Sequence, residues 1–286
     1  MAKKSTQGRA WENPNFARTA AVSELSRALL LGRKLRRTTR AGLTLGTFLI
    51  ELPCSTALMA IGGAGFDFVV IDLEHSGIDY TALEQLIRAA HSSGLAALVR
   101  PLAGELSAIG KILDLGANGI MAPHVHNAAQ ARAIVEQARF PPHGARSFSP
   151  ISRFDSLRYP LRELGDATYV IVQIEGREGI EQIDAIAAVA GIDAIFVGPY
   201  DLALSLDVPP GSPKVFSAAK KATRNLTHAK VAIGIYVDDP SASRTWAKSG
   251  FNLQCLSFDG RMLANAARRV LEQARGARAP TLRRRK

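Results

Sequence analysis

The sequence predicts an α/β protein, a (β/α)8 barrel carrying a basic, partly helical N-terminal extension. Three observations carry that expectation. Short apolar runs alternate with helical patterns of roughly 10–15 residues, the signature of repeated βα units. Eight such units fit between positions 44 and 275, which points to a closed barrel. At 286 residues the chain is long enough for one large core. A doubly wound open sheet is the alternative with the same alternation. The expected divisions are an extension over residues 1–43, the barrel over 44–275 and a basic tail over 276–286.

Residues 1–13 are polar. Phe16 to Leu31 has an apolar helical side formed by Phe16, Ala20, Val22, Leu25, Leu29 and Leu30, and RKLRRTTRAG after it reads as a basic linker. The acid-poor start resembles a targeting segment, but Glu12, Glu24 and the missing apolar core of a signal peptide argue against one. A first strand is expected over Thr44–Ile50 and a helix of small residues over Cys54–Gly62.

The second strand, Asp67–Leu73, is the most telling. Phe68, Val69, Val70 and Ile71 leave no room for a solvated face, so both sides are covered, as in a parallel sheet. Tyr80–His91 is its helix. Leu95–Arg100, Gly119–Ala122, Tyr169–Ile174, Ala194–Val197, Val231–Tyr236 and Leu253–Ser257 complete the strands. Helices over Glu105–Leu115, Ala128–Ala138, Ile180–Val189, Pro213–His228, Pro240–Lys248 and Arg261–Ala274 separate or follow them. A long connection rich in Pro, Gly, Ser and Arg runs from Phe140 to Asp166.

Composition excludes several classes. No apolar run is long enough to span a membrane. Cys54 and Cys255 lie in apolar surroundings without metal or redox spacing, so they read as core thiols of a reducing, cytoplasmic compartment. The net charge of +11 is concentrated in the ends: residues 1–40 hold ten basic against two acidic residues, and residues 276–286 add five basic ones. The stretch between them stands at −2, so no folded face is charged for specific nucleic-acid reading. Gly62, Gly63 and Gly65 follow a helix and precede a strand, the reverse of a dinucleotide fingerprint.

Strand ends of a barrel converge on one mouth. They bring Asp72, Glu74 and His75 from the second strand, Arg100 from the third, Gln173 and Glu175 from the fifth and Asp201 from the sixth. Glu175 and Asp201 offer hard oxygen ligands for Mg²⁺ or Mn²⁺, with waters completing the shell. The competing reading is that each caps the helix that follows it. Arg100, Gln173 and His75 are groups suited to hold a carboxylate and move a proton near a metal. Asp114 could reach inward if its helix ends under the mouth. His124 and His126 form an H-x-H pair with no third ligand nearby, and read as residues of the pocket rim.

GFDFVVIDLEHSGID, LVRP, ILDLGANGIMAP, PPHGAR, VQIEGREGI and IFVGPYDL occur in this order over roughly residues 44–272. In motif and spacing the chain resembles the HpcH/HpaI family of class II metal-dependent 2-oxo acid aldolases. The resemblance implies a divalent metal (Mg²⁺ or Mn²⁺, with Co²⁺ a further option) on Glu175 and Asp201. It also implies a 2-oxo acid held by Arg100 and Gln173, with Asp72 in the same substrate-binding loop. It pairs His75 with Asp114 as an acid–base dyad. The implied reaction is reversible cleavage of a 4-hydroxy-2-oxo acid to pyruvate and an aldehyde. The implied assembly is a homohexamer of dimers that exchange the last helix, about residues 261–274.

Ser147, His124 and the LSFDG of the last strand depart from the family pattern, as does the basic N-terminus. No lysine stands at a strand end from the second to the sixth, which disfavours an imine mechanism. The alternatives are a CoA-ester lyase of the malyl or citramalyl type and an inactive barrel acting as a scaffold.

Overall fold

The structure is a computed structural model that describes residues 24–149, 160–226 and 231–276. Eight strands, β1 (Thr44–Leu49), β2 (Phe68–Asp72), β3 (Ala96–Arg100), β4 (Gly119–Ala122), β5 (Tyr169–Ile174), β6 (Ala194–Val197), β7 (Ala232–Val237) and β8 (Leu253–Phe258), close into a barrel. Each pairs in parallel with its neighbours, β8 returning to β1. The helices are α1 (Glu24–Ala41), α2 (Ser55–Gly63), α3 (Tyr80–Ser92), α4 (Leu106–Asp114), α5 (Ala128–Ala138) and α6 (Leu161–Ala167). They continue as α7 (Arg177–Glu181), α8 (Ile183–Ala187), α9 (Pro199–Ser205), α10 (Pro213–Asn225), α11 (Ser243–Lys248) and α12 (Asp259–Ala274).

Two apolar layers follow from the period of the strands. Side chains at alternate strand positions, such as Val69, Ile71, Ala97, Val99, Val170 and Val172, meet the inner faces of the helices. The others, among them Phe68, Val70, Leu98, Met121, Ile171 and Phe196, fill the barrel interior. Gly46 makes room there, since a Cβ on it would come within 2.4 Å of the Phe68 ring. Leu31 and Leu35 of α1 belong to the same interior cluster, so α1 closes the floor of the barrel at the strand N-termini. Asn118 and Arg36 fasten it: Asn118 donates to the Ala28 carbonyl at 2.6 Å, and Arg36 pairs with Asp193.

The expected elements recur with shifts of up to three residues at their ends. α6 forms inside the expected long connection, and the expected helix over Pro240–Lys248 opens as a 3-10 turn over Pro240–Ala242 before α11. Other differences have physical causes. RKLRRTTR is helical, not a linker, because Leu31, Leu35 and Thr39 supply a buried face four residues apart. The expected helix Phe16–Leu31 falls partly outside the described residues; what is seen begins at Glu24. Pro199 at the first helical position starts α9. The expected helix over Ile180–Val189 is instead two short helices, α7 and α8, broken at Gln182. Part of the long connection, residues 150–159, and His228 lie outside the described residues.

Candidate active site

The strand C-termini carry the polar residues into an otherwise apolar barrel. Register sets Asp72, the last residue of β2, beside Arg100, the last of β3. Arg100 donates from Nε to Asp72 Oδ1 at 2.8 Å and from Nη2 to Oδ2 at 2.7 Å. This fork fixes the guanidinium. Glu74 approaches Arg100 Nε at 3.4 Å, and the Phe48 ring lies 4.9 Å from the guanidinium carbon. Burial pulls the Arg100 pKa down, but the hydrogen bond and charge of Asp72, with Glu74 and Glu175 behind it, more than offset this and raise it. The fork leaves both Nη1 hydrogens and one on Nη2 for a ligand.

Asp72 is wholly buried, and its Oδ1 also accepts from the Glu74 amide at 3.0 Å. Within the chain its carboxylate is engaged in positioning Arg100.

Glu175, one residue past β5, is 3% exposed. Its Oε1 accepts from the His124 amide at 2.9 Å and its Oε2 from Gln173 Nε2 at 2.5 Å. Burial raises its pKa, opposed by the His124 hydrogen bond and charge and by Arg100, while Asp201 pushes the same way as burial. Asp201 comes from the first turn of α9. Gly198 between them is required, since a Cβ there would lie 2.5 Å from Glu175 Oε2.

His124 stands between two carboxylates. Its Nδ1 is 3.3 Å from Glu175 Oε1 and its Nε2 is 3.3 Å from Glu74 Oε1. Its φ of 52° turns the chain after Pro123, so that the amide and the ring face Glu175 together. Sequence reasoning left His124 at the rim and gave Glu74 no role. The available signal was acidic and imidazole groups at three successive strand ends. His126 donates its amide to Gln130 and takes no part in this network.

His75 and Asp114 are not joined within the chain. His75 is 60% exposed at the rim, with Glu74 Oε2 3.8 Å from its Nε2. Asp114 ends α4 and accepts from Arg146 Nη2 at 2.7 Å. A helix between two parallel strands runs against them, so its last residue lies at their starting ends. Asp114 accordingly lines a small cavity with Asn118 and Thr168, away from the mouth. Within the described residues of one chain, Glu74 is the carboxylate beside His75.

The structure contains no metal by its nature, but the donor set can be tested for fit. Among the described residues no group of three or more His, Cys, Asp or Glu side chains converges to hold an ion unaided. Two carboxylates completed by water and substrate oxygens suit a hard divalent ion. The buried Gln173 Oε1 has no hydrogen-bond partner, an acceptor awaiting a donor at this spot. Glu175 and Asp201 fit the group.

Comparison with known proteins agrees with this geometry. A hydroxypyruvate/pyruvate aldolase of Rhizorhabdus wittichii is 35% identical over 233 residues, covering 79% of this chain and 92% of that protein. A 2-dehydro-3,6-dideoxy-6-sulfogluconate aldolase of Pseudomonas putida is 31% identical over 246 residues, 84% of this chain and 96% of that one. An HpcH/HpaI aldolase/citrate lyase family structure from Burkholderia cenocepacia superposes with a TM-score of 0.79 at 31% identity, covering 85% of this chain and 99% of that one. The family model described as HpcH/HpaI aldolase/citrate lyase matches residues 51–266, and the chain belongs to that family.

Proposed function

We propose that the mouth of this barrel is the active site of a class II, divalent-metal-dependent aldolase. It cleaves a 4-hydroxy-2-oxo acid reversibly to pyruvate, or a pyruvate-like 2-oxo acid, and an aldehyde. The observation that carries the reading is the cluster of Arg100, Gln173, Glu175 and Asp201 at the C-terminal ends of β3, β5 and β6, with Arg100 locked by Asp72. Relatives named as pyruvate and hydroxypyruvate aldolases support the same chemistry.

Glu175 and Asp201 would hold the ion, Mg²⁺ or Mn²⁺ by the hardness of their oxygens. When bound, it supplies Lewis-acid stabilisation of developing negative charge on the 2-oxo acid. Arg100 directs its free N–H groups at the same oxygen and at the substrate carboxylate, in a site largely shut from water. Gln173 Oε1 takes a hydrogen bond from a bound hydroxyl or water. His75, with Glu74 beside it, accepts the 4-hydroxyl proton as the C3–C4 bond breaks, and returns it in the synthetic direction. Cys54 and Cys255 are free, which supports a cytoplasmic setting. The exposed α12 supports a homo-oligomer, the hexamer implied by the family resemblance.

Metal binding tests the core of this reading. Glu175→Gln and Asp201→Asn should each abolish Mn²⁺ binding followed by electron paramagnetic resonance, and with it pyruvate release, while the circular dichroism spectrum stays that of the wild type. Wild-type Mn²⁺ affinity in both variants would sink the assignment.

A further inference from the structure

A wide cleft of about 1330 Å³ opens at the opposite end of the barrel, between α1, α6 and the segments leading into β5 and β6. Six arginines line it: Arg33, Arg36, Arg37, Arg40, Arg139 and Arg162. Among the described residues two carboxylates, Asp166 and Asp193, line it with them, and Glu163 reaches Arg33 from its edge. The first four arginines stand at positions i, i+3, i+4 and i+7 along α1, so they share one side of the helix. The same helix turns Leu31 and Leu35 into the barrel floor.

Not all six are available. Arg36 and Arg139 both pair with Asp193 and both donate to the Thr168 carbonyl, which makes them part of the framework. Arg33 holds Glu163 at 2.6 Å, and Arg162 stands 3.7 Å from Asp166. Arg37 and Arg40 are exposed and, among the described residues, take part in no ion pair. Like charges one turn apart disfavour a helix. The row Arg33, Arg37 and Arg40 is therefore a standing cost that an anion in the cleft would remove.

We propose that this cleft binds a soluble ligand carrying a chain of phosphate groups. Guanidinium forks match phosphate oxygens in pairs, and arginines at successive helical turns answer successive charges. The cleft exceeds the roughly 300–1,000 Å³ of ordinary small-molecule sites, so an extended ligand fits. Its two aromatic residues, Phe140 and Tyr169, are buried, with Arg146 and Arg36 lying against their rings. The one exposed ring in the lining is the His143 imidazole, set against six guanidinium groups, so the phosphates rather than a nucleobase dominate recognition. Most of the free charge comes from α1, which precedes the family match at residues 51–266. The site is independent of the aldolase chemistry at the mouth.

Calorimetric titration of the full chain with inorganic tripolyphosphate, ATP and adenosine at physiological salt tests the site. Tripolyphosphate and ATP should bind comparably and adenosine not at all. Arg37→Gln/Arg40→Gln should weaken tripolyphosphate by about tenfold or more. Arg283→Gln/Arg284→Gln, the same charge change in the C-terminal tail, should leave it intact. Equal loss in both pairs would show a response to net charge alone and overturn the site, as would wild-type protein that ignores tripolyphosphate. Should the first pair fail to fold, arginine modification by phenylglyoxal on the wild type decides. Tripolyphosphate should protect Arg37 and Arg40, and their unprotected labelling overturns the proposal.

Discussion

Arg100 keeps its charge inside a mouth that exposes only 9% of its side chain, and it does so because Asp72 is locked to it at two atoms. Replacing Asp72 by Ala leaves that charge buried and unpaired, a loss on the order of 3–5 kcal/mol for a pair of this kind. It should appear as a lowered melting temperature together with lost turnover. The two proton-handling roles separate in D₂O. Arg100→Ala should stop both cleavage and exchange of the pyruvate methyl protons, followed by proton NMR. His75→Ala should slow cleavage by about 10²–10⁴-fold and spare much of the exchange. Complete loss of exchange in the His75 variant would instead make that histidine serve the enolate side too. The cysteines answer a simpler question. Cys54, expected in the core, is instead exposed just ahead of α2, whereas burial pushes the Cys255 thiol up and keeps it protonated. Ellman's reagent should therefore find one thiol per native chain and two after unfolding. At this scale the sequence was legible wherever a residue ends a strand, since Asp72, Arg100, Gln173 and Glu175 all arrive where the strand count puts them. His124 was not, because its role depends on a positive φ after Pro123, and the end of the barrel at which Asp114 falls within its own chain is not stated by sequence spacing.

Elements were legible to the extent that their period was carried by apolar residues. β4, β5 and β6 have the bounds expected of their apolar runs, each closed by a turn, a proline or a glycine. The strand ends at either side of α12 depend on a longer-range device. Asp259 is 4% exposed, and its carboxylate accepts from the amides of Ile50, Glu51 and Leu52, the last at 2.6 Å. It thus fixes the chain leaving β1 from the far end of the sequence, which no local pattern reveals. Asp259→Ala should cost on the order of 3 kcal/mol, since three part-buried amides lose a charged acceptor, and denaturant melts would read it directly. Helix α1 is the opposite case. Its arginines read as a solvated linker, yet Leu35, 2% exposed, sits among the residues of the barrel interior. Leu35→Ala should lose about 2–5 kcal/mol, the range for emptying such a position. A far smaller effect would mean that α1 rests on the floor without sealing it.

Across the whole molecule, the barrel uses its two ends differently. One end gathers carboxylates and Arg100 at the strand C-termini; the other is closed by α1 and edged with arginines. The side formed by α12 remains. Among the described residues of this 16-residue helix only Asp259 is buried, while Leu263, Val270 and Leu271 are 58%, 64% and 51% exposed. These three recur at spacings of seven and eight, one face of a helix, with Ala267 and Ala274 between and after them. A helix with such a face usually buries it, and among the described residues nothing covers it. The expectation is that α12 packs on a second copy, as the resemblance to helix-exchanging dimers implies. Val270→Asp/Leu271→Asp would set two carboxylates in that contact, each without a partner. Light scattering behind a sizing column should show the wild type as an oligomer and the double variant as smaller species. Because the changed residues are remote from Glu175 and Arg100, Mn²⁺ binding per chain should persist in the variant if each barrel completes its own site. Loss of Mn²⁺ together with assembly would mean that the mouth needs its neighbour. An unchanged oligomer would assign the contact to another face.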